Sequence, residues 1–177
     1  MTTNTGGHGH LLNASLRFKS TGKPHMASNE LPQDFREFLK LLADHKVDYL
    51  LIGGYAVGYY GYPRTTADMD IWVSLDSENA EKLVRAFNEF GMVSDEVTPA
   101  LFRKPGNIVR MGVPPVRIEV LNEIDGVDFV ACSERATIAV LDGVPARLIS
   151  LGDLRANKRA SGRHKDLDDL EHLPDGQ

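Results

Sequence analysis

From residue 30 onwards, the apolar positions follow first a helical and then a strand period. A stripe at i, i+3, i+4 and i+7 is formed by Phe35, Phe38, Leu39 and Leu42. This spacing predicts an amphipathic helix that ends near His45. Residues 47–52 are mostly apolar and predict a short strand buried on both faces. A second short helix is expected to begin at the double glycine that follows.

Strand-like and helix-like spacings of apolar residues continue to alternate through the middle of the chain. Residues 69–75 predict a strand, and residues 76–90 predict a helix with an apolar stripe at Ala80, Leu83, Phe87 and Phe90. After Gly91, which stands where a helix C-cap is expected, β signals predominate. They predict strands at residues 101–104, 108–111, 116–121, 136–141 and 146–149, the last two flanking the hairpin dipeptide Asp142-Gly143.

Two helices are predicted to close the chain. Ser150 and Asp153 have the spacing of a helix start, and residues 166–173 predict a last helix with Leu167, Leu170 and Leu173 facing inward. This order of elements is typical of an α+β domain with a mixed sheet. Residues 1–29 are rich in Gly, Thr, Ser and Asn and predict a disordered leader or a cloning remnant. Residues 30–177 are then expected to form a single domain.

Composition and charge narrow the classes of function. A length of 177 residues suits one domain, and a formal charge of −5 disfavours a general nucleic-acid coat, which is usually basic. The single cysteine, Cys132, excludes an internal disulfide and indicates a reducing, cytoplasmic setting. No apolar run approaches the roughly 20 residues of a membrane span, so no membrane association is expected.

The double glycine Gly53-Gly54 invites comparison with two phosphate-binding loops. A dinucleotide-binding fingerprint requires a glycine where this chain has Tyr55. A P-loop requires Lys and then Ser or Thr where this chain has Tyr59-Tyr60. What survives is a turn whose backbone N–H groups, at the start of a helix, favour an anion. A packing turn explains the glycines equally well.

Two aspartates follow the glycines at strand spacing. Asp68 and Asp70 are expected to share one strand face, while the apolar residues between and after them face the core. Like charges this close require compensation, for which a hard divalent cation such as Mg²⁺ is suited, although two solvated aspartates are an alternative. Glu119 lies on the polar face of a later strand together with Arg117. If the two strands pair, Glu119 completes a three-carboxylate set suited to two-metal phosphoryl chemistry.

These residues resemble a known signature. Ile52-Gly53-Gly54, followed after thirteen residues by Asp68-Met69-Asp70-Ile71, resembles the hG[GS]…Dh[DE]h motif of the DNA polymerase β-like nucleotidyltransferase superfamily. Residues 62–68 resemble the R-x-T-x-D-x-D variant of small bacterial members. The tail, at residues 150–154, 157–159 and 163–170, is similar to the closing helices of AbiEii-like and related bacterial nucleotidyltransferases.

The resemblance implies a nucleotidyltransferase fold, a short mixed β-sheet flanked by helices with further helices at the C-terminus. It implies transfer of a nucleoside monophosphate from an NTP, ATP being the expected donor, to a hydroxyl, with Mg²⁺ or Mn²⁺ as cofactor. Gly53 and Gly54 would meet the triphosphate. Asp68 and Asp70 would bind both metals, and Glu119 would bind one of them and assist deprotonation of the acceptor.

Three further residues are candidates for nucleotide binding. Arg64 and Thr66 lie in the variant motif, and Lys158 lies in the tail. Arg64 would offset phosphate charge and Lys158 would reach the phosphate from the tail, whereas solvation at the surface is the alternative for both. The sequence departs from the common pattern in having Gly54 where Ser also occurs and Glu119 where Asp is common, which leaves room for a degenerate relative.

The resemblance leaves three functions open. The first is an active enzyme with a macromolecular acceptor, either a partner protein or RNA, in a toxin–antitoxin system with a cognate partner. The second is a lincosamide- or aminoglycoside-modifying nucleotidyltransferase. The third is a non-catalytic, nucleotide-binding antitoxin that keeps the fold.

Overall fold

The computed structural model describes residues 11–14 and 30–175. Within these ranges the strands are β1 (Leu11–Ala14), β2 (Tyr49–Ile52), β3 (Asp68–Val73), β4 (Ile108–Val113), β5 (Val116–Leu121), β6 (Thr137–Leu141) and β7 (Val144–Leu148). The helices are α1 (Gln33–Asp44), α2 (Gly53–Tyr59), α3 (Ser77–Glu89), α4 (Pro99–Arg103), α5 (Phe129–Glu134), α6 (Leu151–Ser161) and α7 (His164–His172).

The described strands form one mixed sheet in the order β1-β4-β5-β3-β2-β7-β6. The pairs β1/β4, β3/β5 and β2/β7 are parallel, and β2/β3, β4/β5 and β6/β7 are antiparallel. Helices lie on both faces of the sheet, so the predicted α+β domain with a mixed sheet is confirmed. The centre of the sheet is formed by β5, β3 and β2.

Side-chain alternation along the central strands divides the core into two layers. On one face, Met69 and Ile71 of β3 pack in the cluster that contains the apolar stripes of α1 and α3. On the other face, Trp72 of β3 packs in the cluster that contains residues of α2, α5 and α6. All four residues of β2 are buried, as the apolar run predicts. Asp68 and Asp70 alternate with Met69 and Ile71 and therefore lie on the face of Trp72.

A predicted turn and a predicted helix start are both found where the residue types favour them. Asp142 and Gly143 both have positive φ, 48° and 77°, as the two-residue turn between β6 and β7 requires. The hydroxyl of Ser150 accepts a hydrogen bond from the Asp153 N–H and caps α6. The reversal into β7 and the start of α6 therefore have local causes.

The prediction of a strand at residues 101–104 is wrong. These residues fall in and just after α4, which begins with Pro99 and is capped by the Thr98 hydroxyl, which accepts from the Leu101 N–H. Phe102 is buried, with its ring centroid 5.4 Å from that of Phe87 on α3. A helical turn presents Phe102 to α3, so the local helix start and the contact with the core favour the same conformation.

Two described elements were not predicted. The first is α5, a short helix capped by Asp128. The second is β1, which falls within the segment expected to be a disordered leader; it pairs in parallel with β4, and Leu12 is buried. The remainder of residues 1–29, and residues 176–177, lie outside the described ranges. Among the residues that the structure describes, no helix is both long and apolar enough to cross a membrane.

Candidate functional site

The pairing of β3 with β5 brings the three candidate carboxylates together. In this parallel pair Asp70 stands opposite Glu119, and Asp68 stands opposite Arg117. Because side chains alternate, all four project from the same face of the sheet, while Ile118 is fully buried on the other. The strand pairing on which the three-carboxylate prediction depended is confirmed.

Asp70 occupies the most unfavourable position for a negative charge. Burial, and after it the neighbouring charges of Glu119 and Asp68, together raise its pKa to about 7, while Lys165 and Arg64 oppose the shift. A nearby cation would stabilise the ionised form of such a carboxyl group and lower its pKa. Asp70 is therefore the member of the set that most needs a positive partner.

Arg117 supplies part of that positive charge to the neighbours of Asp70. Its Nη2 lies 2.7 Å from Oδ2 of Asp68 and 3.1 Å from Oε1 of Glu119, so one guanidinium bridges two carboxylates. Nε of Arg110, on β4, also donates to Oε1 of Glu119 at 2.7 Å. The hydrogen bond from Arg117 to Asp68 raises the pKa of the Arg117 guanidinium.

The three carboxylates fit a hard divalent cation in chemistry, and their present arrangement does not form a ready-made cluster. In residues 11–14 and 30–175, no group of three or more His, Cys, Asp and Glu side chains is placed to hold a metal. Asp68 and Glu119 are instead directed at Arg117. Oδ1 of Asp68 is buried and has no hydrogen-bond partner among the described residues, so it keeps an acceptor available. Oxygen donors of this kind would suit Mg²⁺ or Mn²⁺ only if Arg117 released Asp68 and Glu119.

The double glycine lies against this site for a steric reason. Gly53 follows β2 directly and has φ of +63°, and a Cβ at this position would lie 2.0 Å from Oδ2 of Asp70. A Cβ on Gly54 would lie 2.6 Å from Oγ1 of Thr66. Asp70 of β3 and Thr66 of the loop before it approach the glycine backbone so closely that only glycine fits at both positions. The backbone of the turn lies beside the buried carboxylate.

Thr66 and Arg64, which precede β3, have different environments. The Thr66 hydroxyl donates to the backbone carbonyl of Asp68 at 3.1 Å and lies beside Gly54. Arg64 makes two bonds to Asp169 of α7, from Nε at 2.7 Å and from Nη2 at 3.0 Å. Its Nη1 is buried and has no partner in the described part of the chain. The alternative of a solvated Arg64 is wrong, since two of its nitrogens are paired and the third is buried.

Lys158 is also buried and paired. Its Nζ lies 2.7 Å from Oδ1 of Asp166 and 2.6 Å from Oδ2 of Asp169. The alternative of a solvated Lys158 is therefore wrong. Contact between Lys158 and a phosphate remains a prediction, and it would require the amino group to leave at least one of these carboxylates.

Sequence reasoning missed the contacts of Arg117 and Asp169. For Arg117 a signal existed, because it lies two residues before Glu119 and hence on the same strand face. For Asp169 there was none, since its partner Arg64 is 105 residues away in the chain. A separate cavity of about 490 Å³ near the start of β2, lined in part by Lys46, Asp48 and Arg147, contains none of the predicted site residues.

Comparison with known proteins supports the fold. No protein-family model matches the chain, and no curated protein matches it significantly. Among solved structures, it is similar to a Thermotoga maritima protein provisionally assigned as a nucleotidyltransferase, with a TM-score of 0.53 and 19% identity over 77% of this chain and 88% of that one. An antigenic nucleotidyltransferase-like protein from Paracoccidioides brasiliensis also matches, with a TM-score of 0.47 and 19% identity over 80% and 76%. The first of these shows that this chain has a nucleotidyltransferase fold, as predicted.

Proposed function

We propose that the protein is a metal-dependent nucleotidyltransferase of the DNA polymerase β-like superfamily, close to the small AbiEii-like members. It transfers a nucleoside monophosphate from an NTP, with ATP as the expected donor, to a hydroxyl group and releases pyrophosphate. The observation that carries the proposal is the register of β3 against β5, which sets Asp70 beside Glu119 with the Gly53 backbone in contact with Asp70. A glycine turn and a carboxylate set thus share one place in a nucleotidyltransferase fold.

Asp68, Asp70 and Glu119 would hold the divalent cations. Bound there, Mg²⁺ or Mn²⁺ would neutralise the carboxylates and stabilise the charge on the transferred phosphate. Glu119 has a second role in the proposal, which is to help take the proton from the acceptor hydroxyl. Gly53 and Gly54 would approach the triphosphate through their backbone. Their lack of side chains leaves the space beside Asp70 and Thr66 open.

Arg64 and Thr66 would complete the nucleotide site. The buried Nη1 of Arg64 is a charged donor without a described partner, and Arg64 is near enough to Asp70 to lower its pKa. A phosphate oxygen would satisfy this donor at little cost, because the guanidinium is already desolvated and held by Asp169. Thr66, beside Gly54, would fix the turn against β3.

We propose a macromolecular acceptor, either a protein or an RNA, of the kind found in toxin–antitoxin systems. The side chains of Asp68 and Arg117 are each more than a quarter exposed, at 29% and 28%, so an acceptor can approach the carboxylates from solvent. A non-catalytic, nucleotide-binding antitoxin is the second candidate. It is favoured by the bridge of Arg117 between Asp68 and Glu119, which would satisfy these carboxylates permanently if it did not open.

Labelling with α-phosphate-labelled NTPs tests the proposal. The purified protein with Mg²⁺ or Mn²⁺ and a cell lysate is expected to transfer label to protein or RNA. Label in small molecules would instead indicate an antibiotic-modifying enzyme. The double variant Asp68→Asn/Asp70→Asn is expected to reduce labelling to background while its circular dichroism spectrum is unchanged.

Calorimetric titration with Mg·ATP separates the two candidates. Binding of Mg·ATP without any release of pyrophosphate would support the non-catalytic antitoxin. A protein that neither binds nor turns over any NTP with either metal would show that the proposed function is wrong.

Replacement of Arg117 tests whether it stands in for a cation. In the presence of a chelator, Arg117→Gln is expected to lower the free energy of unfolding by about 2 kcal/mol, because hydrogen bonds to two charged carboxylates are lost. Added Mg²⁺ is expected to raise the melting temperature of this variant more than that of the wild type. Arg85→Gln, at an exposed position on α3, is the matched control and should change neither quantity. An equal response to Mg²⁺ in all three proteins would contradict the interpretation.

A further inference from the structure

The loop that leads into β3 is held by the C-terminal helices. Residues 62–66, between α2 and β3, have no regular structure, and Asp68 follows as the first residue of the strand. Arg64, in the middle of this loop, makes its two-bond ion pair with Asp169 of α7. The side chain of Asp169 is completely buried. The carboxylate that fixes the loop thus belongs to the last helix of the described chain.

Asp169 is itself fixed from a second helix. Nζ of Lys158, on α6, lies 2.6 Å from Oδ2 of Asp169, the oxygen that also accepts from Nη2 of Arg64. These ion pairs hold the pKa of Asp169 below its usual range despite its burial. A buried carboxylate with two cationic partners has one strongly preferred position, because a displacement would break buried ion pairs with both of them. Arg64 therefore has a rigid support.

A second contact joins the same loop to the same helix. The ring of Tyr62 stacks on that of His172, with centroids 4.1 Å apart and an interplanar angle of 9°. The Tyr62 hydroxyl donates to Oδ2 of Asp168 at 3.2 Å. With Arg64, two of the five loop residues are attached to α7. The contacts of Tyr62 and Arg64 therefore attach this irregular loop to α7.

The end of the loop carries parts of the proposed nucleotide site. Thr66 donates to the backbone of Asp68 and occupies the space beside Gly54. Thr66 and Asp68 follow Arg64 by only two and four residues, so a shift of Arg64 would be expected to displace them. Even a small displacement of these residues would matter, because catalytic and metal-binding groups tolerate only small errors in position.

We propose that Asp169 is a positioning residue: through Arg64 it sets the place of the loop before β3, and with it Thr66 and Asp68 relative to the double glycine. The inference rests on the proposed function for its consequence, which is nucleotide affinity. The attachment of the loop to α7 is supported by the contacts of Arg64 and Tyr62 and does not depend on the proposed function. The C-terminal helices are then a part of the site and not only a cover for the core.

The chain offers a matched control within α7. Asp166 is also buried and pairs with the same Lys158, and it accepts further bonds from Ser161 and Arg163. Its described hydrogen-bond and ion-pair partners all lie on α6 or at the start of α7, and none of them lies in the loop before β3. Asp169→Asn and Asp166→Asn each remove one buried carboxylate charge from the same ion network. Only the first removes the acceptor of Arg64.

Hydrogen exchange of the full-length protein tests the attachment without any nucleotide. Asp169→Asn is expected to speed exchange of the amides of residues 68–70, the first of β3, by about tenfold or more, whereas Asp166→Asn should leave them within about twofold of the wild type. Equal acceleration in both variants would show that the tail acts only through overall stability and would overturn the proposal. No acceleration in Asp169→Asn would overturn it as well.

Titration with Mg·ATP then tests the consequence. Asp169→Asn is expected to weaken binding by about tenfold or more, in the range found for groups that support a metal ligand, and Asp166→Asn to weaken it by less than about twofold. Arg64→Lys should weaken binding by a smaller factor in the Asp169→Asn background than in the wild type, since part of its effect is the loss of the same ion pair. A large effect of Arg64→Lys with none of Asp169→Asn would show that Arg64 acts on the phosphate alone and would overturn the positioning role.

Failure of the proposed function and failure of the positioning role of Asp169 give different results. If the wild type binds no nucleotide, the proposed function fails, while the exchange result still decides whether Asp169 holds the loop. If Asp169→Asn does not fold, Arg64→Lys serves in the exchange measurement, because it keeps the charge and loses the two-bond geometry. Unchanged exchange of residues 68–70 in Arg64→Lys would then overturn the proposal.

Discussion

Gly53→Ala is expected to destabilise the protein by about 3 kcal/mol and to abolish binding of Mg·NTP. Gly53 has φ of +63°, a conformation that costs a residue with a Cβ roughly 1–2 kcal/mol. The added Cβ would also lie 2.0 Å from Oδ2 of Asp70, so the buried carboxylate would have to move. Both effects act at the point where the turn meets the proposed metal site.

Gly58→Ala is the matched control, because Gly58 lies in the same helix, α2. A Cβ on Gly58 would meet no atom within 4 Å, and alanine in a helix interior is favoured over glycine by about 0.5–1 kcal/mol. Urea denaturation and calorimetric titration of both variants are the measurements. Gly58→Ala should be as stable as the wild type or slightly more so and should bind Mg·NTP normally. Normal binding by Gly53→Ala would contradict the location of the site at this turn.

The parts of the fold that could be predicted are those with a local cause. The stripes of α1 and α3, the alternation along β3 and β5, and the cap at Ser150 all depend on residues within a few positions of one another. The wrong strand at residues 101–104 had a local answer too. Thr98 followed by Pro99 is a helix-start signal, which competes with the turn signal of Pro105-Gly106.

The candidate site divides in the same way. The shared face of Asp68 and Asp70 follows from strand geometry, and so does that of Arg117 and Glu119. Which carboxylate would meet which guanidinium depends on the register of β3 against β5, which no local pattern fixes. Likewise, the sequence leaves Arg64 and Lys158 between phosphate contact and solvation at the surface, since burial and pairing with Asp169 depend on how α7 packs.

The acid titration of Asp70 is expected to dominate the pH dependence of stability between about pH 4 and pH 7. Its pKa is about 7 in the folded protein, against an ordinary value of 3.8. In this window the unfolded chain has lost the proton and the folded protein has kept it, so stability falls as the pH rises. A shift of this size corresponds to on the order of 4 kcal/mol, because each pKa unit is worth about 1.4 kcal/mol.

The tail aspartates change stability in the opposite direction and in a different range. Ion pairs and hydrogen bonds with Lys158, together with the other polar partners of each group, hold the pKa of Asp169 below its usual range and that of Asp166 at about 2, although burial opposes the shift. Their contribution is therefore complete above about pH 4 and is lost as the pH falls below it. Urea denaturation between pH 5 and pH 8 thus isolates Asp70.

Asp70→Asn removes the titrating group and leaves a side chain of the same shape. In chelator, the free energy of unfolding of this variant, measured relative to the wild type, is expected to increase from pH 5 to pH 7 and to level off above pH 7. Asp44→Asn, at an exposed position in the last turn of α1, should show no such trend. A constant difference between Asp70→Asn and the wild type across this range would mean that Asp70 is ionised throughout. In that case Arg117, Arg64 and Lys165 together would already compensate the carboxylate set without a metal.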